Sequence, residues 1–210
     1  MKIVIFANGV MDDCDFSREI AQNADYVIGA DGGASHLAKL DIKPDCLIGD
    51  FDSICPNLLE DFSKAGVEIV RFPIQKDATD LELAVDHAIQ MHPTELVILC
   101  GFGERLDHFL GNIHALVAAA NANINAALIS QSTLIRLISC NCTFPRQQYS
   151  WISLIPLTTA VTGVTTSGLK YALHNETLQI GSSRGISNEF SAEVVTVSVT
   201  DGLLLAICTK

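Results

Sequence analysis

The first part of the chain alternates short apolar runs with segments of helical spacing. The candidate strands are residues 3–6, 26–28, 46–48, 67–70 and 96–99, with Asn125–Ile129 as a sixth. One intervening segment places four apolar residues on a single helical face, Leu81, Ala84, Val85 and Ala88, and a further helix is expected from about residue 108 to 120. Apolar strands joined by helices predict an α/β fold with a doubly wound, mostly parallel sheet.

After about residue 131 the pattern changes to strands with little helix between them. The candidates are residues 134–138, 151–154, 177–180, 194–199 and 203–207. Apolar and polar residues alternate cleanly in the run that contains Val195 and Val197, and Asp201-Gly202 predicts a tight hairpin after it. We therefore expect two domains, residues 1–130 with the parallel sheet and residues 131–210 with an antiparallel β fold.

Composition and charge narrow the class of protein. Hydrophobic residues make up 49% of the chain and charged residues 18%, as in globular proteins. The net charge of -11, without a cluster of Lys and Arg, argues against a nucleic-acid partner. The seven cysteines include no C-x-x-C pair, which favours reduced thiols over disulfides or zinc. No apolar run is long enough for a signal peptide or a membrane span, so we expect a cytoplasmic protein.

Four polar loops follow predicted strands of the parallel sheet. They are residues 31–33, 49–53, 76–80 and 101–107. In an open parallel sheet the loops at the carboxyl ends of the strands converge on the ligand. The sequence therefore predicts one site at this edge, and bound phosphates there would need a metal ion, a few cations and backbone N–H groups to offset the acidic chain.

Two of these loops carry paired carboxylates. Asp50 and Asp52 point the same way if their segment is extended, and two carboxylates without a nearby His or Cys suit a hard, oxygen-binding cation. The alternative is a solvated turn in which Asp52 caps the next helix. Asp77 and Asp80, three residues apart, are placed to face the same metal from the first turn of another helix.

The remaining polar positions are each open to two interpretations. Thr79 fits a capping box with Glu82, and the helix N-terminus it caps also attracts phosphate, for which Lys76 is the natural cation. Gly32-Gly33 permits either close backbone approach to a ligand or a simple tight turn. Arg105 and Asp107 either project together while Leu106 packs inward or form an ordinary surface ion pair.

The ordered set of motifs resembles bacterial thiamin pyrophosphokinases over nearly the whole chain. In the first part the motifs are Ala30-Asp31-Gly32-Gly33-Ala34, Gly49-Asp50-Phe51-Asp52-Ser53-Ile54, Lys76-Asp77-Ala78-Thr79-Asp80-Leu81-Glu82, Arg105-Leu106-Asp107-His108 and Gly111-Asn112. In the second part they are Gly168-Leu169-Lys170-Tyr171 and Gly185-Ile186-Ser187-Asn188-Glu189. The chain departs from the family pattern at four places, Cys100, Glu104, Ala172 and Ser130-Gln131.

The resemblance implies a fold, a reaction and a set of residue roles. It implies a catalytic ATP- and magnesium-binding α/β domain, a C-terminal thiamin-binding β-sandwich, and a homodimer with active sites at the subunit interface. The implied reaction transfers the pyrophosphoryl group of ATP, the co-substrate, to the hydroxyl of thiamin, giving thiamin diphosphate and AMP. The implied Mg²⁺ ligands are Asp50, Asp52 and Asp80. The implied ATP and phosphate contacts are Asp31, Gly32, Gly33, Lys76, Asp77, Thr79, Arg105, Asp107 and Asn112. The implied thiamin contacts are Ser187 and Asn188.

Two other functions are compatible with parts of the sequence. Residues 46–52 also resemble the strand and D-x-D motif of haloacid-dehalogenase-type phosphatases, in which the first Asp, here Asp50, would be the nucleophile. A non-catalytic thiamin or nucleotide sensor would bind the same molecules without releasing AMP. For the transferase, Asp77 or Asp107 is the candidate to accept or orient the proton of the thiamin hydroxyl.

Overall fold

Two units make up the chain, Met1–Gln131 and Ser132–Lys210, and the computed structural model describes all of residues 1–210. The first unit contains six strands joined by helices, and the second contains strands alone. The change of pattern near residue 131 therefore coincides with a change of architecture.

The first unit is built on a parallel sheet of six strands. They are β1 (Lys2–Phe6), β2 (Tyr26–Ala30), β3 (Cys46–Gly49), β4 (Glu68–Arg71), β5 (Glu95–Leu99) and β6 (Asn125–Ile129). They lie side by side in the order β6-β5-β1-β2-β3-β4, and each neighbouring pair is parallel. The strand order reverses beside β1, so the carboxyl ends of β1 and β5 form the crevice in which such sheets bind ligands.

Five helices connect these strands. They are α1 (Cys14–Gln22), α2 (Gly33–Lys39), α3 (Pro56–Lys64), α4 (Asp80–Gln90) and α5 (Leu106–Asn121). The four residues predicted to share one face of α4 are its buried residues, Leu81, Ala84, Val85 and Ala88. The α/β fold predicted from the alternating pattern is confirmed. No helix in the chain is both long enough and apolar enough to span a bilayer.

Gly32 and Gly33 let α2 pack closely against the end of β1. A Cβ atom on Gly33 would lie 2.0 Å from the carbonyl oxygen of Phe6, and one on Gly32 would lie 2.0 Å from Oδ1 of Asn8. The left-handed backbone belongs to the preceding residue, Asp31, with φ 44°. The glycines therefore serve close backbone approach, but the group they approach is the protein's own chain.

The second unit is an antiparallel β-sandwich of two four-stranded sheets. Its strands are β7 (Thr133–Ile138), β8 (Asn141–Pro145), β9 (Trp151–Pro156), β10 (Ala160–Ser167), β11 (Glu176–Gln179), β12 (Asn188–Glu189), β13 (Val194–Ser198) and β14 (Leu204–Thr209). One sheet has the order β7-β14-β9-β12 and the other β11-β10-β13-β8. Val195 and Val197 are fully buried between the sheets, as their alternation predicts, together with Phe144 and Leu178.

The predicted hairpin at Asp201-Gly202 is wrong. β13 pairs with β8 and β10, whereas β14 pairs with β7 and β9, so the turn carries the chain from one sheet to the other. Gly202 has a φ of 96°, as a tight turn needs. It also lies close to Ala160, since a Cβ on Gly202 would be 2.7 Å from the Ala160 carbonyl oxygen. A turn residue fixes the local backbone and does not determine which strands pair.

β8, β10 and β12 are strands that the sequence pattern did not predict. In β10 the register shifts between Val161 and Val164, and Gly163 between them has φ 66°. The extra residue of such a bulge breaks the alternation of buried and exposed side chains. A search for strict alternation therefore overlooks this strand.

Alanine substitutions at two helical glycines test the packing of α2 on β1. We expect Gly33→Ala to lower the free energy of unfolding by about 1–3 kcal/mol, because the new methyl group overlaps the Phe6 carbonyl. Gly111→Ala in α5 is the matched control, since a Cβ there meets nothing within 4 Å. It should raise the free energy by about 0.5–1 kcal/mol through helix propensity. Urea denaturation measures both, and equal midpoints for the two variants would contradict the packing described.

Candidate active site

Three carboxylates converge at the carboxyl ends of β2 and β3. Asp31 follows β2, Asp50 and Asp52 follow β3, and oxygen atoms of all three lie within 4.8 Å of one another. Asp31 is buried and Asp52 is exposed, so the cluster leads from the protein interior to solvent. An all-oxygen donor set of this kind suits Mg²⁺ or another hard cation.

The segment that joins Asp50 to Asp52 is a turn, so the expectation of an extended segment is wrong. Phe51 between them has a left-handed φ of 63°, and its side chain is buried in the core of the first unit. The backbone N–H of Asp52 donates to Oδ1 of Asp50 at 3.2 Å. Asp52 does not cap the next helix either, since α3 begins after Cys55 and has no side-chain cap. The carboxylates meet because the left-handed backbone of Phe51 bends the chain between them.

Asp31 has one carboxylate oxygen that makes no hydrogen bond. Its Oδ2 accepts a short hydrogen bond from the Ser53 hydroxyl and a longer one of 3.4 Å from Nδ2 of Asn8. Its Oδ1 is buried and has no hydrogen-bond partner, and the whole residue is only 7% exposed, so water does not replace the missing donor. A buried oxygen left without a donor is costly, and a bound cation would remove that cost. The residues present therefore fit a divalent metal ion.

Lys76 supplies positive charge beside the cluster. Its Nζ lies 2.7 Å from Oδ2 of Asp50 and 2.9 Å from Oδ1 of Asp80. The hydrogen bond from Lys76 lowers the pKa of Asp50, whereas the charge of Asp50 raises the pKa of Asp52. Desolvation lowers the pKa of Lys76, but its hydrogen bonds to Asp50 and Asp80 outweigh that effect and raise it. Lys76 thus favours the ionised form of Asp50, whereas the crowding of like charges opposes the ionisation of Asp52.

The loop before α4 places three other predicted residues at this edge. The Thr79 side chain caps α4 by accepting from the N–H of Glu82 at 3.1 Å, which confirms the capping interpretation. Asp80 touches Lys76 and lies outside the group of three carboxylates. Asp77 is exposed and takes part in neither contact of Lys76.

A cavity of about 530 Å³ opens beside these residues, within the first unit. Asp31, Thr79 and Asp80 form part of its wall. Most of the rest comes from the loop after β1, from residues 101–105 and from the start of α5. The rings of Phe102 and Phe109, both in this lining, pack 5.6 Å apart.

The loop after β1 is the part of the site that the sequence interpretation missed. Gly9 donates its N–H to the carbonyl of Cys100 at 2.7 Å, and a Cβ on Gly9 would lie 2.1 Å from the carbonyl oxygen of Phe102. His36 contacts the Gly9 carbonyl at 2.8 Å. The sequence does contain a signal for this loop, because Asn8-Gly9 follows the first predicted strand in the same way that the four polar loops follow later strands.

Arg105 and Asp107 form an exposed ion pair at the start of α5. Two guanidinium nitrogens reach the two carboxylate oxygens, at 3.3 and 2.6 Å, and these hydrogen bonds lower the pKa of Asp107 to about 2. Leu106 between them is 71% exposed, so the expectation that it packs inward is wrong. Arg105 is the residue just before α5, so Leu106 lies in the first turn of that helix, where no other element covers it.

Asn112 and Cys100 shape the loop after β5. The Asn112 amide donates to the Gly101 carbonyl at 2.7 Å, so it supports the cavity wall through the backbone. Cys100, one of the residues that depart from the family pattern, has a left-handed φ of 56°. Its side chain is buried in the core, and burial raises the pKa of the thiol to about 12. Both residues fix the course of this loop.

The two predicted thiamin contacts lie in the second unit. Asn188 is buried, and its side-chain amide is occupied by backbone groups: Oδ1 accepts from the N–H groups of Tyr171 and Glu189, both at 3.0 Å, and Nδ2 donates to the Tyr171 carbonyl at 2.7 Å. Ser187 is exposed, has φ 56°, and donates its N–H to the Ser153 hydroxyl at 3.1 Å. Asn188 thus anchors this segment, while Ser187 offers its hydroxyl to solvent.

Titration of Asp107 tests its pairing with Arg105. Arg105→Gln should raise the pKa of Asp107 from about 2 towards the ordinary value of about 3.9, because the donating guanidinium is lost. A depressed carboxyl pKa stabilises the folded chain above about pH 4, and the pair loses that contribution as pH falls towards 2. Carboxyl ¹³C NMR follows the titration. Lys64→Gln breaks another exposed pair, to Glu60, and should leave Asp107 unchanged; an unshifted Asp107 in Arg105→Gln would refute the assignment.

Comparison with known proteins identifies the family over both units. Residues 17–128 match the family profile "Thiamin pyrophosphokinase, catalytic domain", and residues 141–204 match "Thiamin pyrophosphokinase, vitamin B1 binding domain". Thiamine pyrophosphokinase of Bacillus subtilis is 35% identical over 86% of this chain and 85% of that protein. Thiamine pyrophosphokinase 2 of Arabidopsis thaliana is 30% identical over 93% and 82% of the respective chains.

The fold agrees with that relationship. The crystal structure of thiamine pyrophosphokinase from Bacillus subtilis superposes with a TM-score of 0.88 at 30% identity, and the match covers 100% of this chain and 99% of that one. The matched catalytic segment contains the three converging carboxylates, and the matched vitamin B1 binding segment contains Ser187 and Asn188. The chain therefore belongs to the thiamin pyrophosphokinase family.

Proposed function

We propose that the carboxylate cluster and the adjoining cavity are the active site of an enzyme that uses ATP to pyrophosphorylate thiamin. The chain is an ATP:thiamin diphosphotransferase, and its products are thiamin diphosphate and AMP. The observation that carries the site assignment is the position of Asp31, Asp50 and Asp52, beside a cavity of about 530 Å³ in the segment that matches the catalytic domain.

Magnesium is the cation that best fits the cluster. We propose Asp31, Asp50 and Asp52 as its protein ligands, because their oxygens converge and one oxygen of Asp31 is buried without a donor. Asp80, assigned to the metal by the resemblance, contacts Lys76 and would exchange that contact for the ion. When bound, the metal would neutralise charge on the phosphates of ATP.

The chain's own cations and backbone would hold the rest of the phosphate charge. Lys76 lies between two carboxylates with its ammonium group directed towards the cluster, and the N-terminus of α4, capped by Thr79, presents free N–H groups beside the cavity. Arg105 lines the same cavity. These groups stabilise the charge on the transferring phosphoryl group and keep it in line with the attacking hydroxyl.

Asp77 is better suited than Asp107 to accept the proton of the thiamin hydroxyl. The ion pair with Arg105 holds the pKa of Asp107 at about 2, which makes it a weak base. Asp77 is exposed next to Lys76 and is free of that pair. We therefore assign proton transfer to Asp77, and assign to Asp107 the orientation of the Arg105 guanidinium.

The second unit would supply the thiamin pocket. Ser187 has an exposed hydroxyl on a left-handed backbone, and apolar surface is exposed nearby in sequence at Ile186. Asn188 would contribute by holding Tyr171 in place. We further propose that two copies pair as a homodimer with active sites at the subunit interface, which is supported by the family relationship and by the exposure of Trp151, Tyr171 and Ile186.

The alternative functions receive no support from the comparisons. The relatives from Bacillus subtilis and Arabidopsis thaliana are thiamin pyrophosphokinases, and neither is a haloacid-dehalogenase-type phosphatase or a non-catalytic sensor. In this site the Asp50 carboxylate is held by Lys76 and by the N–H of Asp52. That arrangement suits a fixed metal ligand better than a nucleophile.

AMP production tests the reaction directly. With ATP and Mg²⁺, AMP should form only when thiamin is added, and thiamin diphosphate should appear in equal amount by chromatography. Release of inorganic phosphate without thiamin would instead support the phosphatase. Thiamin binding by calorimetry without any AMP would support the sensor.

Removing one carboxylate charge tests the metal assignment. Asp50→Asn should reduce kcat by about a hundredfold or more, because the cluster loses a ligand and Lys76 loses its partner. Asp61→Asn removes the same charge from an exposed position on α3 and should leave kcat unchanged. Circular dichroism checks that both variants fold. A folded Asp50→Asn enzyme with near-normal turnover would remove Asp50 from the metal site.

A further inference from the structure

We propose that Arg71 is a positioning residue for the cation-binding carboxylates, acting through the turn formed by Asp50, Phe51 and Asp52. The inference rests on the proposed function, because it takes these carboxylates to be the ligands of the divalent cation. Arg71 belongs to none of the motifs that predict the site from the sequence.

Strand pairing brings Arg71 to the start of this turn. Arg71 is the last residue of β4 and is paired in parallel register with Gly49, the last residue of β3. The N–H of Phe72 donates to the Gly49 carbonyl at 3.0 Å. The end of β4 is therefore fixed to the residue immediately before Asp50.

Two contacts join the Arg71 side chain to the turn. Nη1 donates a hydrogen bond of 3.0 Å to the main-chain carbonyl of Asp50. The guanidinium carbon lies 5.1 Å from the centroid of the Phe51 ring, within the range of a cation–π contact. One planar group thus holds both the carbonyl that enters the turn and the side chain at its centre.

The turn needs such support because Phe51 is left-handed. A φ of 63° is unfavourable for an aromatic residue and persists only where its surroundings impose it. The core packs against the Phe51 ring, and Arg71 contacts both that ring and the carbonyl of the preceding residue. Relaxation of this residue would rotate the Asp50 carboxylate away from Asp52 and break their 3.2 Å hydrogen bond.

Charge and positioning make opposite predictions for the loss of Arg71. Its hydrogen bond goes to a backbone carbonyl and leaves the carboxylates free for the ion. If Arg71 were only a neighbouring positive charge, its removal would lessen repulsion and tighten the binding of a divalent cation. If it positions the ligands, its removal weakens binding. The sign of the change decides between the two roles.

Direct binding of Mn²⁺, followed by electron paramagnetic resonance of the free ion, is the test. Arg71→Ala should weaken binding about tenfold, and Arg71→Lys, which keeps a cation and a donor, should stay within about threefold of the parent chain. Arg18→Ala removes a partly exposed cation that pairs with Asp15 on α1, and should leave binding unchanged. Arg71→Gln, which keeps a donor for the Asp50 carbonyl, replaces the alanine variant if that variant shows no cooperative melting.

A double substitution tests whether Arg71 acts through Phe51. Phe51→Leu should weaken Mn²⁺ binding, and adding Arg71→Ala should produce less than the product of the two separate effects, because both changes release the same turn. Folded Arg71→Ala protein that binds Mn²⁺ as tightly as the parent chain, or more tightly, would overturn the inference. If Asp50→Asn binds Mn²⁺ as tightly as the parent chain, or if the parent chain binds no Mn²⁺, the metal assignment is overturned, and the role of Arg71 with it.

Discussion

The mutual repulsion of three carboxylates is the constraint around which the first unit is arranged. Asp31, Asp50 and Asp52 bring their oxygens within 4.8 Å of one another, and like charges at that distance do not stay together without support. The support comes from different parts of the fold: Ser53 and Asn8 hold Asp31, and Lys76 holds Asp50. The parallel sheet makes this feasible, since all of these residues follow strands that end at one edge.

The same crowding prepares the site for phosphates. A chain with a net charge of -11 repels ATP, and in the proposed site the cluster concentrates that repulsion where the nucleotide would bind. A bound divalent cation would offset most of the charge of the three carboxylates, so affinity for the nucleotide would depend on the metal more than on the few cations of the chain. A carboxylate that binds the ion would hold the Lys76 ammonium less firmly. Lys76 would then be available to a phosphate of the nucleotide.

Much of the fold and the convergence of the candidate site residues could be predicted from the sequence. Buried strands and the inner face of α4 follow from the spacing of apolar residues, which the core imposes directly. The convergence of four polar loops follows from the parallel order of the strands. The left-handed turn at Phe51 could not be predicted this way, because a phenylalanine in a buried segment gives no sign of positive φ. The contacts of Arg71 and Gly9 could not be predicted for a related reason. Both residues contact backbone carbonyls, and the pattern of polar and apolar residues carries no information about such contacts.

The turn at Asp201-Gly202 has a consequence for how the second unit folds. Because this turn changes sheets, β14 lies between β7 and β9, and Thr209 is paired with Thr133 at the opposite end of the unit's sequence. Few of these pairings form between neighbouring segments, so a large loop entropy must be overcome before the sandwich gains its core. The first unit joins four of its five neighbouring strand pairs by a single strand–helix–strand connection, and only its β1 and β5 pair across a long span of chain. We therefore expect it to form first, while the sandwich limits the rate at which the whole chain reaches its native state.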